Sequence, residues 1–386
     1  MTANIRVADG ELCPVCFGAD FVDLPDPWRG ESLLSDLRTT TKRLGRAACL
    51  RCSLVRRRRI PLAQAQHAIF GDAYSLFSQQ PTAPVRQRQT QLASWILEAL
   101  GDFRPGKIFE IGCGDGSLLQ ALAELLPAAS FSGIDPAPQS VAQAQSRGVS
   151  ATTGFAEDIP ARDADLCLSV NVIEHVPSPV DFFNSMRRSV ASDGRIAVIC
   201  PDGDVPNYEL LFYDHLYSFD SNSLVSLCAR ADLIALQVTK APVNLGPFHM
   251  LVAHLAKEIK PQAVLTNANT ALTEAKASYL HAWSRLDDIL LERVGNSEHI
   301  VVFGNSDVAA LVRVYAPSLW ARVEACVVDG KPSVDCFVDR PLRAYSSLPH
   351  GSSIVLGVRP GNHGAVARRL AHDGHRVVRW DDIVAA

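Results

Sequence analysis

Short apolar runs alternate with stretches of helical spacing through the middle of the chain. Ile108, Phe109 and Ile111 read as the end of a buried strand, and a helical pattern begins at Leu118. Ser130-Phe131-Ser132-Gly133-Ile134-Asp135 reads as a second strand ending in an acid, and a third short element ends in Gly154-Phe155-Ala156-Glu157-Asp158. Residues Asp165 to Val176 form a fourth strand running into a turn. Gly194 to Pro201 form a fifth, introduced by an Asp193-Gly194 turn. Ahead of these, a helix over about 86–100 places Leu92, Trp95, Ile96 and Leu100 at core spacing, and another helix is predicted over 222–231. The alternation resumes near the end, with strands at 299–303, 324–329, 353–358 and 375–380. Strands alternating with helices predict parallel, doubly wound sheets that bind ligand at the carboxyl ends of their strands.

Composition narrows this only a little. With 386 residues, 47% hydrophobic and 20% charged, the chain has ordinary globular composition and room for two or three domains. The formal net charge of −4 gives no bulk electrostatic case for nucleic acid. The start Met1-Thr2-Ala3-Asn4-Ile5-Arg6 has no apolar core behind it, and no apolar run reaches the length of a membrane span. A cytoplasmic protein without membrane or nucleic-acid partners is expected, and a monomer is favoured.

The first strand turns into its helix through Glu110-Ile111-Gly112-Cys113-Gly114-Asp115-Gly116. Three alternating glycines let the backbone approach a ligand closely. The spacing is not that of a P-loop, and no lysine is placed to hold a phosphate chain. This E-x-G-x-G-x-G run resembles the first motif of class I S-adenosylmethionine (SAM) methyltransferases. The resemblance implies that Glu110, Gly112, Gly114 and Gly116 lie under the amino-acid end of SAM. Asp135 would accept the ribose hydroxyls, Ala156 and Glu157 would flank the adenine, and Asn171 would complete the cofactor contacts.

Ten cysteines are present, and four fall into paired C-x-x-C knuckles, Cys13-Pro14-Val15-Cys16 and Cys49-Leu50-Arg51-Cys52. Two knuckles can complete a tetrahedral four-thiolate zinc site, which leaves no open position for catalysis. Free or redox dithiols are the alternative. Cys113, Cys167, Cys200, Cys228, Cys326 and Cys336 read as small core residues. The run Arg56-Arg57-Arg58-Arg59 reads as a solvated edge strand or turn, or else as a nucleotide-diphosphate contact or cationic lid; nucleic-acid binding is the weaker alternative, because no aromatics are interleaved.

The most chemical segment beyond the glycine loop is Tyr213-Asp214-His215-Leu216-Tyr217, just past the fifth strand. A carboxylate beside a histidine can steer a substrate or tune proton transfer. His175, at the end of the fourth strand, is a second candidate base. Tyr74 and Phe77 either close a hydrophobic satellite or line the mouth of the site.

Taken together, the double C-x-x-C domain, the core carrying Asn171-Val172-Ile173-Glu174-His175-Val176-Pro177, the Tyr213–Phe219 segment and the last α/β unit resemble the zinc-containing nucleotide-sugar C-methyltransferases. The resemblance implies an α/β protein of three parts. A zinc-binding domain would cover 1–80, a Rossmann-like SAM core 81–258, and a Rossmann-like α/β domain closing over a nucleotide-linked sugar 259–386. It also implies methylation of C3 beside a 4-keto group. His215 or His175 would be the base, and Asp214, Tyr217 or Tyr213 would orient it or stabilise the enolate oxygen. Two departures stand out. Phe212 and Asp214 occupy places where the family usually has Tyr and Glu. An O- or N-methyltransferase of a sugar or natural product, and a non-catalytic zinc-ribbon binding protein, are the other readings.

Overall fold

The computed structural model describes residues 12–71, 74, 83–159, 163–256, 268–332 and 334–384. The chain divides into two compact units. The first comprises 1–23, 47–209 and 214–272, and the second 24–46, 210–213 and 273–386. The segment between the cysteine knuckles thus belongs with the C-terminal α/β unit.

The first unit is built on a seven-stranded sheet. At its centre Lys107–Ile111 pairs in parallel with Ser130–Asp135 on one side and with Ala164–Val170 on the other. Ser150–Thr153 and Val190–Pro201 extend the parallel array outward. The fifth strand begins at Val190 rather than Gly194, and a register shift between Val190 and Arg195 takes up the Asp193-Gly194 turn. The predicted all-parallel sheet is mixed, because Phe248–Leu255 adds antiparallel to Val190–Pro201 and Leu233–Lys240 adds antiparallel beyond it. Central positions such as Phe109, Leu166, Leu168, Val198 and Ile199 are buried, as expected for strands covered on both faces.

Helix starts follow side-chain chemistry. Pro179–Ser189 opens with proline at its start, and its preceding Ser178 hydroxyl accepts from the Asp181 amide. Asp220 caps Ser221–Arg230 by accepting from the Ser223 amide at 2.6 Å. Among the described residues no helix is long and apolar enough to cross a membrane.

A small four-stranded sheet joins Phe21–Asp23, Arg46–Cys49, Val55–Arg57 and Tyr217–Ser218 in that order. Val55–Arg57 is therefore an inner strand. This corrects the expectation of a solvated arginine edge. Arg56 is fully buried with its guanidinium 4.3 Å from the centre of the Phe21 ring, and Arg58 pairs with Asp23 at 3.1 Å. Cys13, Val15, Phe21 and Leu54 share one apolar cluster with Leu216, Phe219, Leu224 and Leu227.

In the second unit a six-stranded sheet has Ile300–Phe303 between Ala325–Val328 and Ser353–Leu356, all parallel, with Arg340–Ala344 and Arg376–Val378 outside them. Cys336–Phe337 pairs antiparallel at the edge. Cys336 is exposed there, contrary to its reading as a core residue. The same unit grips residues 210–213. Buried Arg46 donates to the carbonyls of Leu210 (3.0 Å) and Phe212 (2.6 Å), Tyr315 donates to that of Leu211 (2.7 Å), and the Tyr213 amide donates to Leu33 (2.7 Å).

Candidate active site

The glycine loop follows the central strand, and its three glycines all take left-handed backbone angles, with φ of +78°, +51° and +76° at Gly112, Gly114 and Gly116. At Gly112 the requirement is also steric, since a Cβ would stand 2.3 Å from Val172 Cγ2. Asp135, ending the next strand, accepts from the Gly114 amide with Oδ2 and from the Ala137 amide with Oδ1, both at 2.9 Å. A carboxylate offers about four acceptor directions, so each oxygen keeps one for a ligand hydroxyl. Asp115 braces the loop. It accepts from the Ser117 amide and hydroxyl and pairs with Arg147 at 2.5 Å.

Glu110 is buried, and its Oε2 has no hydrogen-bond partner among the described residues. Burial, then the charges of Asp135 and Asp115, push its carboxyl well above the usual range. An orphaned buried acceptor at the end of the strand that leads into the left-handed glycine loop fits the amino-acid end of SAM. Asn171 fits the same crevice: it is exposed at the carboxyl end of Ala164–Val170, with φ of +55°, a conformation asparagine tolerates. Ala156 opens the short turn Ala156–Asp158. Glu157, beside it, is already engaged by His67, whose Nε2 lies 2.6 Å away and whose ring stacks on Phe155 at 3.6 Å.

Past the carboxyl ends of the strands lies a buried histidine pair. The His175 and His215 rings meet edge to face with centroids 4.7 Å apart. His175 Nδ1 donates to the Asp214 carbonyl at 2.9 Å and stands 3.8 Å from the Asp214 carboxylate. His215 Nδ1 faces Glu209 Oε2 at 3.4 Å. The expected Asp214–His215 partnership is therefore crossed: Asp214 serves His175, and Glu209 serves His215. Glu209 had no chemical reading in the sequence, where it sits six residues before His215 in an apolar run. Burial lowers His175 to about 4 against the pull of Asp214, so its ring is neutral at pH 7.

The remaining expected residues fall as follows. Tyr74 lies in a chain of rings, 5.1 Å from Phe70, which stands 4.8 Å from His175. Phe77 lies outside the described residues. The Tyr217 hydroxyl donates to the Pro177 carbonyl at 2.9 Å, next to the turn that carries His175. Tyr213 belongs to the second unit.

Residues 85–238 match the family model described as a methyltransferase domain. A trans-aconitate 2-methyltransferase of Mycobacterium marinum is 26% identical over 196 residues, covering 50% of this chain and 67% of that protein. Its counterpart in a Mycobacterium tuberculosis strain is 26% identical over 211 residues, with 54% and 70% covered. The protein is a SAM-dependent methyltransferase. The non-catalytic reading falls with that assignment. Similar solved structures include a mitomycin 7-O-methyltransferase (TM-score 0.38, 17% identity, 44% of this chain and 54% of that one). Another is a magnesium protoporphyrin IX methyltransferase from Synechocystis PCC 6803 with bound SAH (TM-score 0.37, 14% identity, 46% and 90%). This chain spans about half the length of the first of these.

The methyltransferase also carries the four knuckle cysteines as one buried cluster. Cys13 and Cys52 Sγ are 3.5 Å apart, as are Cys16 and Cys49, and all four sulfurs lie within 4.8 Å of one another. A tetrahedral zinc with Zn–S near 2.3 Å needs sulfurs separated by about 3.8 Å. The two knuckles are alike in backbone, with Phe17 and Ser53 left-handed at the same place in each. Gly18 keeps the cluster clear, because a Cβ there would meet Cys16 Sγ at 3.3 Å. The Arg230 guanidinium lies 3.7 Å from the centre of the Phe17 ring and reaches the Pro14 carbonyl. It sets a positive charge beside what would be a doubly negative centre.

Substitution of Gly114 tests the cofactor assignment. Gly114→Val places a β-branched side chain at a left-handed position in the loop. The expected result is a folded enzyme whose calorimetric affinity for SAM drops at least about tenfold, about 1.4 kcal/mol. Unchanged affinity would remove this loop from the cofactor site.

Proposed function

We propose that the enzyme methylates C3 of a nucleotide-linked 4-keto-deoxysugar through an enolate. The observation that carries this reading is the buried, crossed pair of His–carboxyl partnerships: His175 with Asp214 and His215 with Glu209. A hydroxyl or carboxylate acceptor needs at most one base. A carbon acceptor must first lose a weakly acidic C–H proton, and a buried imidazole oriented by a carboxylate is suited to that.

When bound, SAM supplies an electrophilic methyl group. The chain's own residues do the rest. The Gly112–Gly116 loop, Glu110, Asp135 and Asn171 hold the cofactor. Glu209 fixes His215 so that Nε2 carries the lone pair and removes the C3 proton. His175, with Nδ1–H held by the Asp214 carbonyl, likewise has Nε2 as the nitrogen that can accept a proton. Tyr217 positions the turn bearing Glu174 and His175 through Pro177. Tyr74 and Phe70 close the apolar side. Cys13, Cys16, Cys49 and Cys52 bind one structural zinc.

The relatives' names favour a second reading, methylation of trans-aconitate or a similar small carboxylic acid. NMR of the product separates the two. With SAM labelled in its methyl carbon and a nucleotide-linked 4-keto-6-deoxyhexose, the account expects a methyl group bonded to carbon. A methyl bonded to oxygen, or turnover of trans-aconitate alone, would overturn it.

A further inference from the structure

We propose that Glu174 is the proton acceptor behind His215, relaying the proton that the base takes from the substrate. The proposal rests on the enolate reading above and adds a residue to which that reading gives no chemistry.

Glu174 sits in the short turn Ile173–His175 and is 1% exposed. Neither of its carboxylate oxygens has a hydrogen-bond partner among the described residues. A buried, unbonded carboxylate is costly, and such groups concentrate where proton transfer is carried out. One Glu174 oxygen and a ring nitrogen from each of His175 and His215 lie within 4.8 Å of one another. That span suits transfer through a single intervening water. The neighbouring Glu209 is already committed to His215 Nδ1.

The titratable groups that face Glu174 are His175, His215, Glu209, Asp214 and Cys200. Burial lifts the Glu174 carboxyl to about 7, and His215 opposes that rise while Glu209 and Asp214 add to it. A carboxyl poised there both accepts and releases a proton at neutral pH. Burial holds Cys200 well above the usual thiol range, so it is a neutral neighbour.

Proton balance gives such a group a task. In C-methylation the substrate C–H bond breaks and its electron pair forms the new carbon–methyl bond. The methyl–sulfur bond breaks with its pair returning to sulfur, and one proton is left over. Held on His215, that proton leaves a buried imidazolium. Passed to Glu174, it converts an imidazolium and a carboxylate into two neutral groups and restores the base. Glu174 touches no reacting atom and acts through His215.

The test compares wild type, Glu174→Gln and Glu174→Asp in the full-length enzyme. With the 4-keto sugar, Glu174→Gln is expected to lower kcat about 10- to 100-fold with KM for SAM unchanged. Glu174 works as acceptor only when ionised, so wild-type kcat should rise with pH through about 7. Glu174→Gln should lose that rise and Glu174→Asp should keep it. A Gln variant with wild-type kcat and the same rise would overturn the proposal. A second readout needs no substrate: carbon-13 NMR titration of the His215 ring. One titration step coupled to Glu174 should vanish in Glu174→Gln, and an unchanged curve would overturn the relay. If wild type fails to methylate the sugar, the enolate reading fails while this titration still decides whether Glu174 and His215 exchange protons. Stoichiometric binding of added Zn2+ or Mn2+ beyond the cysteine site, abolished by Glu174→Gln, would also overturn the proposal by making the carboxylate a metal ligand.

Discussion

His215→Ala should reduce methylation by roughly the 100- to 10,000-fold typical of a positioned acid–base group, with SAM affinity unchanged. His215 is the stronger candidate of the two histidines because a carboxylate, Glu209, faces its Nδ1 at 3.4 Å. His175 has the Asp214 carbonyl on the same atom, and burial lowers it to about 4. A base of that strength is a poor match for a C–H proton at neutral pH. His175→Ala should therefore cost less than His215→Ala. It removes an edge contact with the His215 ring, and the main loss should be in positioning. Full activity in both variants would take histidine out of the mechanism. A larger loss in His175→Ala would exchange the two roles.

Loss of the proposed zinc should have the second large effect, on stability rather than chemistry. Purified enzyme is expected to contain about one zinc per chain, and Cys13→Ser with Cys16→Ser should abolish it. Structural zinc binding is worth on the order of 10 kcal/mol in small domains. Here the knuckles also pack into an apolar cluster with Leu216, Phe219 and Leu224, which should retain part of the fold without metal. A net loss of about 4 kcal/mol, or on the order of 10 °C in unfolding temperature, is expected. The same strand array carries Tyr217–Ser218, so a chelator should first lower thermal stability and then activity. Metal content unaffected by the double substitution would contradict the assignment.

The parallel strands were legible because most are short apolar-rich runs ended by a turn residue or an acid: Lys107–Ile111 by Gly112, Ser130–Asp135 by its own Asp135, and Ala164–Val170 by Asn171. The antiparallel pair Leu233–Lys240 and Phe248–Leu255 was not, since its orientation depends on pairing partners that local spacing does not encode. Arg56 was misread for a related reason. Charge in a run of four arginines predicts exposure, but Val55–Arg57 is flanked by strands on both sides and Phe21 covers the guanidinium.

At the site, residue types were easier to find than partnerships. His175 lies against both His215 and Asp214. Adjacency along the chain suggested that Asp214 serves His215, yet consecutive side chains leave the backbone in different directions, and Asp214 turns to His175. Glu209 and Glu174 gained meaning only from folding. One follows Tyr208 in a mostly apolar stretch, and the other sits beside His175, which drew the chemical reading in its place. The grouping of 24–46 with the second unit rests on long-range contacts such as Arg46 to Leu210 and Phe212, which no local signal announces.

The enolate is the centre of the account, and hydrogen exchange tests it most directly. Wild-type enzyme, the nucleotide-linked 4-keto-deoxysugar and S-adenosylhomocysteine in place of SAM should be incubated in deuterated water, where no methyl can be transferred. Deuterium should then enter C3 of the sugar, at a rate that falls in His215→Ala in step with methylation. No deuterium at C3, from an enzyme that methylates the same sugar when SAM is supplied, would contradict C–H abstraction as a step separable from methyl transfer and with it the proposed role of the histidine pair.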